Sequence, residues 1–229
     1  MIMGRGSSDA RRGRLSRERV LRAALTVADG EGLAAVSMRR VAEELGVESM
    51  ALYRYTASKE DLLDGLVETL FLELEDRVTA ADPPRGLRST LHSLAREMYR
   101  VAVAHPNIVS LCATRPLMVP LARRPHAVLR VHERLLALLL ATGLEGQEAL
   151  RVYRAFLAWV LGYIVIDLRA VVDDPDEPDP AFRLGLHRLP ARDLPILRAY
   201  GPALAERGGE EQLAAGLDAL LASLDPEGG

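Results

Sequence analysis

Apolar residues recur at every third or fourth position through most of this chain, and no segment alternates with the period of two that a half-buried strand shows. Residues 16–29 place Val20, Ala23, Ala24, Val27 and Ala28 on one face, which predicts a first helix broken by Gly30 and Gly32. The spacing resumes at Met38, Val41, Ala42 and Leu45. Ser37 stands where a side-chain oxygen caps orphan amides, and Gly46 where a helix must turn left-handed to stop. Val47 is the apolar plug of that turn. Residues 49–55 then read as a short second helix with Leu52 inward. Ser58 followed by Asp61 is a capping-box pattern that opens a helix over 58–77. Its stripe of Leu62, Leu63, Leu66, Val67, Leu70, Phe71 and Leu74 is wide enough to face two partners.

Asp82, Pro83 and Pro84 mark a seam at 80–86. Beyond it the pattern predicts helices over 87–104, 125–142, 145–172 and 210–224. Shorter ones are expected over 181–189 and 194–207, with a Pro-broken stretch from Pro106 to Pro125. The run DDPDEPDP at 173–180 reads as a charged loop. The expected fold class is all-α. A disordered basic arm (1–14) precedes a three-helix helix-turn-helix head (15–60), a connecting helix and linker (61–82), and a larger helical domain for effector binding and dimerisation (83–229).

Composition sharpens this picture at three points. Net charge over 229 residues is −3, yet residues 1–60 hold eleven Lys plus Arg against eight acids, leaving −6 for the remainder. A positive end on an acidic body orients a protein toward phosphate. Cys112 stands alone, which excludes an internal disulfide and suits a reducing cytoplasm, with a buried small hydrophobe as its expected role. Residues 1–14 have no apolar signal-peptide core, and the uncharged run 155–166 is shorter than the ~20 residues of a bilayer span, so a soluble cytoplasmic protein with no membrane partner is expected.

Two stretches carry a resemblance. Residues 15–74 resemble the DNA-binding domain of the TetR repressor family at Ala23, Ala24, Gly32, Ser37, Arg39, Val41, Ala42, Leu45, Gly46, Val47, Leu52, Tyr53, Lys59, Leu62 and Leu63. More loosely, Thr114-Arg115-Pro116 after His105-Pro106, with Gly-Leu-Asp at 216–218, resemble the effector domain of the tetracycline-repressor subclass. The first resemblance implies a double-stranded DNA operator. It implies that Ser37, Met38, Arg39, Ser49, Met50, Ala51, Tyr53, Arg54, Tyr55 and Lys59 face that operator. The residue types agree. Lys59 in the first turn of a helix suits a phosphate, Tyr53 and Tyr55 bring hydroxyls, and Arg39 and Arg54 can grip guanine edges bidentately. Each, taken singly, is also what a solvated surface residue looks like.

For an effector, a mostly apolar cavity with a few polar anchors is expected. The candidates are Tyr99, Leu111, Thr114, Arg115, Leu117, Met118, His132, Trp159 and Tyr163, although Trp159 and Tyr163 read equally well as core or dimer-interface aromatics. The tetracycline subclass has a histidine that holds a magnesium-bound drug where this chain has Leu111, and a second on the fourth helix at about Glu75. The departure implies an organic effector, apolar or aromatic, with no metal and no cofactor. No catalytic residue is expected: the chain lacks G-x-S-x-G, P-loop and G-x-G-x-x-G patterns, and His132-Glu133 lacks its second zinc ligand because Leu136 stands there. The apolar residues Phe156, Leu157, Val160, Leu161 and Ile164, with Leu213, Leu217, Leu220 and Leu221, are expected to pair with their mates in a homodimer. The residues point to a ligand-released repressor. An effector-independent regulator, an activator and an all-helical binding or enzymatic protein remain as alternatives.

Overall fold

The computed structural model describes residues 14–80, 86–115, 119–168, 178–179, 182, 185, 188–190 and 192–224. Every regular element among them is helical. These are α1 (Arg17–Glu31), α2 (Met38–Leu45), α3 (Ser49–Leu52), α4 (Lys59–Ala80), α5 (Leu87–Ala104), α6 (Val109–Thr114), α7 (His126–Ala141), α8 (Gly146–Leu168), α9 (Pro195–Ala205) and α10 (Gly209–Leu224). The caps fall where the sequence puts them. Ser16 Oγ accepts from Arg19 N at 3.2 Å, and Ser37 Oγ accepts from Arg40 N at 3.2 Å. Gly46 ends α2 in the left-handed region at φ 66°, with Val47 N donating to Ala42 O at 3.0 Å and Gly46 N to Glu43 O at 3.1 Å. That pair of bonds is the Schellman closure, which a residue with a Cβ forms only at a cost.

Two expectations need correction. The helix expected over 49–55 is α-helical only at Ser49–Leu52, and 53–55 form a turn closed by Tyr55 N to Leu52 O at 2.8 Å. The apolar stripes assigned to a dimer are also largely internal. Phe156, Val160 and Ile164 of α8, with Leu213 and Leu217 of α10, are buried in the chain's own core against Leu91, Ala95 and Tyr99 of α5 and Leu135 and Leu139 of α7. Leu157, Leu161, Leu220 and Leu221 stay partly buried at its edge. Helical period shows which residues share a face; it does not show what covers that face. By length and composition α8 is apolar enough to cross a membrane, which the count of uncharged residues understated. Its one buried face, Ala149, Val152, Phe156, Val160 and Ile164, is that of a helix in a packed bundle.

The chain divides after Thr69 into two compact units, and α4 contributes to both. The helix expected over 181–189 and the 173–180 loop fall mostly, and the basic arm at 1–13, residues 81–85 and residues 169–172 wholly, outside the described residues.

In the second unit, the Gly-Leu-Asp run has a physical meaning at each position. A Cβ on Gly216 would run into the Trp159 ring, so this glycine lets the indole lie against α10. Leu217 is fully buried. Asp218 Oδ1 accepts from Arg88 Nη2 at 2.6 Å and lies 2.6 Å from His92 Nε2, which ties α10 to α5. Alanine for glycine inside a helix ordinarily gains about 0.5–1 kcal/mol, and Gly30→Ala, where a Cβ meets open space, should do so. Gly216→Ala should instead lose about 1–3 kcal/mol through overpacking against Trp159, so the two variants should move the denaturation midpoint in opposite directions. Stabilisation by both would mean that the indole does not hold this seat.

Candidate nucleic-acid interface and ligand cavity

In the first unit, α2 packs on α1 and α3 on α2, with Val20, Ala24, Val27, Val41 and Leu52 all essentially without exposure. Leu52 anchors the recognition turn from below, so its neighbours face outward. Met50 is 75% exposed and Tyr53 49%, while Arg54 and Lys59 are exposed. Ser37, Met38, Ser49, Ala51 and Tyr55 are half-buried at the margin. Arg39 projects into solvent and, among the described residues, is held only by an exposed pair with Glu43 at 2.9 Å. Such a pair contributes about 0–1 kcal/mol and yields readily to another anion. Lys59 opens α4 and makes no ion pair among the described residues. All ten candidates thus reach the surface, in full or in part.

What joins the recognition turn to α1 and α4 was not legible in the sequence. Arg17 Nη2 donates to Asp61 Oδ1 at 2.9 Å, Arg17 Nη1 to Asp61 Oδ2 at 3.2 Å, and Nη1 also to Tyr55 O at 2.8 Å. One guanidinium therefore joins the start of α1, the recognition turn and the first turn of α4. Asp61 N donates to Ser58 Oγ at 3.1 Å as the capping box requires, but Asp61 Oδ2 returns to Ala57 N at 2.8 Å rather than to Ser58. Thr56 is buried and its hydroxyl donates to Ser58 O at 3.2 Å. The Arg17 hydrogen bonds hold the Asp61 carboxyl below the usual aspartate range. Beneath α2, Arg40 is gripped by Glu31 at 2.5 Å and Glu44 at 3.1 Å, which makes it a brace.

The described effector candidates fall into three groups. Tyr99, Trp159 and Tyr163 form an aromatic cluster, with ring centroids 6.2 Å apart for Tyr99–Tyr163 and 5.9 Å for Trp159–Tyr163. Tyr99 Oη donates to Asp167 Oδ2 at 2.7 Å and Tyr163 Oη to Gly209 O at 2.8 Å, while Trp159 Nε1 is buried with no partner among the described residues. Burial first, and then Asp167, pushes the Tyr99 phenol up. His132 sits elsewhere, 2.9 Å from Tyr153 Oη through Nδ1, and burial lowers its pKa. Leu111 is buried, Thr114 Oγ1 donates to Ser110 O at 2.6 Å, and Arg115 caps α6; Leu117 and Met118 lie outside the described residues.

Among the described residues two further cavities open in the second unit, and none of the seven described candidates lines either. The smaller, about 60 Å³, is apolar and includes Cys112, whose thiol burial pushes up to about 12. The larger, about 410 Å³, lies between the carboxyl-terminal half of α4, α5 and α7. Leu74, Val78, Leu94, Val131, Leu135 and Leu138 give it an apolar wall, and Glu75, Thr79, Thr90, Ser93, Arg130 and Arg134 give it polar groups. Across it Glu75 takes Arg130 Nε at 2.7 Å and Nη2 at 2.5 Å, and these hydrogen bonds lower the Glu75 pKa. Among the described residues no three His, Cys, Asp or Glu side chains gather in a metal-holding group.

Comparison with known proteins supplies the class. Residues 20–66 match the family described as bacterial regulatory proteins, tetR family, and residues 80–226 match the tetracyclin repressor-like C-terminal domain. The chain belongs to the TetR family of DNA-binding transcriptional regulators. The HTH-type transcriptional repressor DrrR1 of Streptomyces coeruleorubidus is 31% identical over 224 residues, which is 98% of this chain and 74% of that protein. The tetracycline repressor protein class C of Escherichia coli is 26% identical, over 90% of this chain and 92% of that protein. A possible TetR family transcriptional regulator from Streptomyces coelicolor A3(2) superposes with a TM-score of 0.74 at 25% identity, covering 92% of this chain and 99% of its own. ActR of Streptomyces coelicolor in complex with actinorhodin shares the fold, with a TM-score of 0.67 at 23% identity over 94% of this chain and 99% of its own.

The Arg17 clamp makes a prediction in pH. The folded pKa of Asp61 lies below its unfolded value, so its contribution is complete above the ordinary aspartate range and is lost as pH falls through the lowered folded value. Both partners are about two-fifths to one-third exposed, so screening limits the pair to about 1 kcal/mol. Asp61→Asn should flatten the acid limb of the stability curve of the head, measured by urea midpoints across acidic pH. An unchanged acid limb would place the sensitivity in other carboxylates.

Proposed function

We propose that this protein is a homodimeric repressor that grips a palindromic operator with two recognition turns and is released by a small organic effector bound in the 410 Å³ cavity. The observation that carries the DNA reading is a recognition turn whose outward residues are exposed while its backbone is held by the Arg17 clamp. Arg17 neutralises Asp61, so the first turn of α4 presents Lys59 with one acid, Glu60, beside it instead of two, and the helix dipole adds to the attraction of Lys59 for phosphate. Tyr53 and Tyr55 bring phosphate-reaching hydroxyls, with Ser37 as a further donor. Arg39 and Arg54 read bases, and Met50 with Ala51 contacts thymine methyl groups. Dimerisation is supported by apolar surface the chain leaves uncovered, with Ile166 80% exposed and Ile196 71% and Tyr200 66% exposed on α9. Its site of action is the cytoplasm, where the DNA is.

The effector reading rests on the volume of the cavity, which falls within the ~300–1,000 Å³ range of small-molecule sites, and on its lining by α4, the helix that also carries Lys59. A ligand that prefers one setting of α4 must weaken DNA binding by the factor by which DNA weakens ligand binding.

Gel shift on the DNA upstream of the gene tests the first half. Lys59→Ala should weaken all sequences alike and flatten the salt dependence, whereas Arg54→Ala should relax the choice of base at one position by about 1–3 kcal/mol. Uniform loss from both would erase the division between positioning and reading. Leu94→Trp, which fills the cavity, should bind operator and no longer respond to effector, while Thr114→Ala with Arg115→Ala should still respond; the reverse result moves the site to the end of α6. Sedimentation at micromolar concentration should give a dimer, and a monomer would remove the two-fold reading.

A further inference from the structure

The polar groups of the larger cavity are unequal in what they have left to offer. Glu75 is engaged at both oxygens by the Arg130 guanidinium, so a ligand ammonium would have to displace a bidentate partner to reach it. Thr79 and Thr90 already donate to Glu75 O at 2.7 Å and Gly86 O at 2.9 Å. Two groups remain. Arg134 on α7 lines the cavity one turn beyond Arg130 and makes no ion pair among the described residues, although its charge is felt by Glu75. Ser93 on α5 lines the same space, and its hydroxyl makes no hydrogen bond among them. Two cations against one carboxylate leave the cavity with a net positive charge beside an apolar wall of six leucines and valines.

We propose that the effector is an organic acid, an apolar ring system bearing one carboxylate or similarly acidic group that pairs with Arg134 while Ser93 hydrogen-bonds to it. This rests on the reading of the cavity as the effector site. An anion there has a guanidinium to meet and a hydroxyl donor beside it, whereas a cation meets a carboxylate already neutralised. The rings fill the space bounded by Leu94, Val131, Leu135 and Leu138.

Calorimetry on the full chain with three probes of one size tests it: naphthalene-2-carboxylate, its carboxamide and 2-naphthylmethylammonium. The carboxylate should bind at least about tenfold tighter than the amide, the difference a charge-assisted hydrogen bond supplies, and the ammonium weakest of all. Arg134→Gln should abolish the preference for the carboxylate and leave amide binding in place. Equal binding of carboxylate and amide, tighter binding of the ammonium, a preference that survives Arg134→Gln, or no binding by any probe overturns the assignment of an acid. Binding lost in Leu94→Trp keeps the cavity as the site even where the charge preference fails. Binding that survives Leu94→Trp overturns the cavity reading itself.

Discussion

A helix of four residues cannot hold itself together, because the hydrogen bonds of a single turn do not repay the backbone order they require. The recognition element of this protein is such a helix, and its shape depends on the Arg17 guanidinium. Arg17 meets Asp61 with two nitrogens and Tyr55 O with one of the same two, so one planar donor at the start of α1 holds the recognition turn and the first turn of α4, 38 and 44 residues on. Lys could match the charge but not the fork. The energy of this half-exposed pair is small. Its larger effect is geometric, since it ties Tyr55 O to the start of α1 in a turn otherwise closed locally by Tyr55 N and Thr56 N to Leu52 O. Outward residues can read DNA only if their Cα positions are fixed, and the clamp supplies that fixity.

A second constraint is the continuity of α4. Its 22 residues begin at Lys59 and pass Glu75 and Val78 of the cavity wall without a break. At ~1.5 Å per residue such a helix spans roughly 33 Å as one stiff body. A ligand touching its far half can influence its near end only through the difference in its affinity for two settings of that body. That difference is commonly ~1–3 kcal/mol, so tight binding alone would release nothing. Polar contacts suit this task because their strength changes steeply with position, and Glu75 with Arg130 is such a contact on α4 itself.

How much of this was legible in the sequence divides along physical lines. Caps and stops are local, and Ser16, Ser37, Gly46 and Ser58 act where the chain puts them. Helical faces are local too, so the core positions of α1, α2 and α8 were readable. The length of α3 was not, because Tyr53, Arg54 and Tyr55 have adequate helix propensity and the turn they form depends on partners elsewhere. Asp61 was visible as half of a capping box, whereas its Arg17 partner lies 44 residues away. The cavity was hidden for the same reason, since Glu75 and Arg130 are 55 residues apart and each alone looks like a solvated charge on an amphipathic helix. Phe156, Val160, Ile164, Leu213 and Leu217 were read as part of an interface because period cannot separate a partner's surface from the chain's own.

The two halves of the molecule therefore stand under different rules. The head must fit the same phosphate spacing and base edges wherever it is used, so caps, the left-handed glycine and the outward aromatic and basic residues stay recognisable. The cavity has no such fixed target. The resemblance to the tetracycline subclass implies histidines where this chain has Leu111 and, at about the same place on α4, Glu75; here Leu111 is buried and Glu75 is locked to Arg130. Exchanging an imidazole for a carboxylate already paired with a guanidinium changes what the site can prefer while keeping the helix that carries it. The charge that remains to attract a ligand then comes from the other wall, at Arg134 on α7. On the proposed reading, a repressor built this way would exchange its signal by altering a few side chains along α4, α5 and α7, with the coupling carried by α4 and the specificity by the groups that line the cavity.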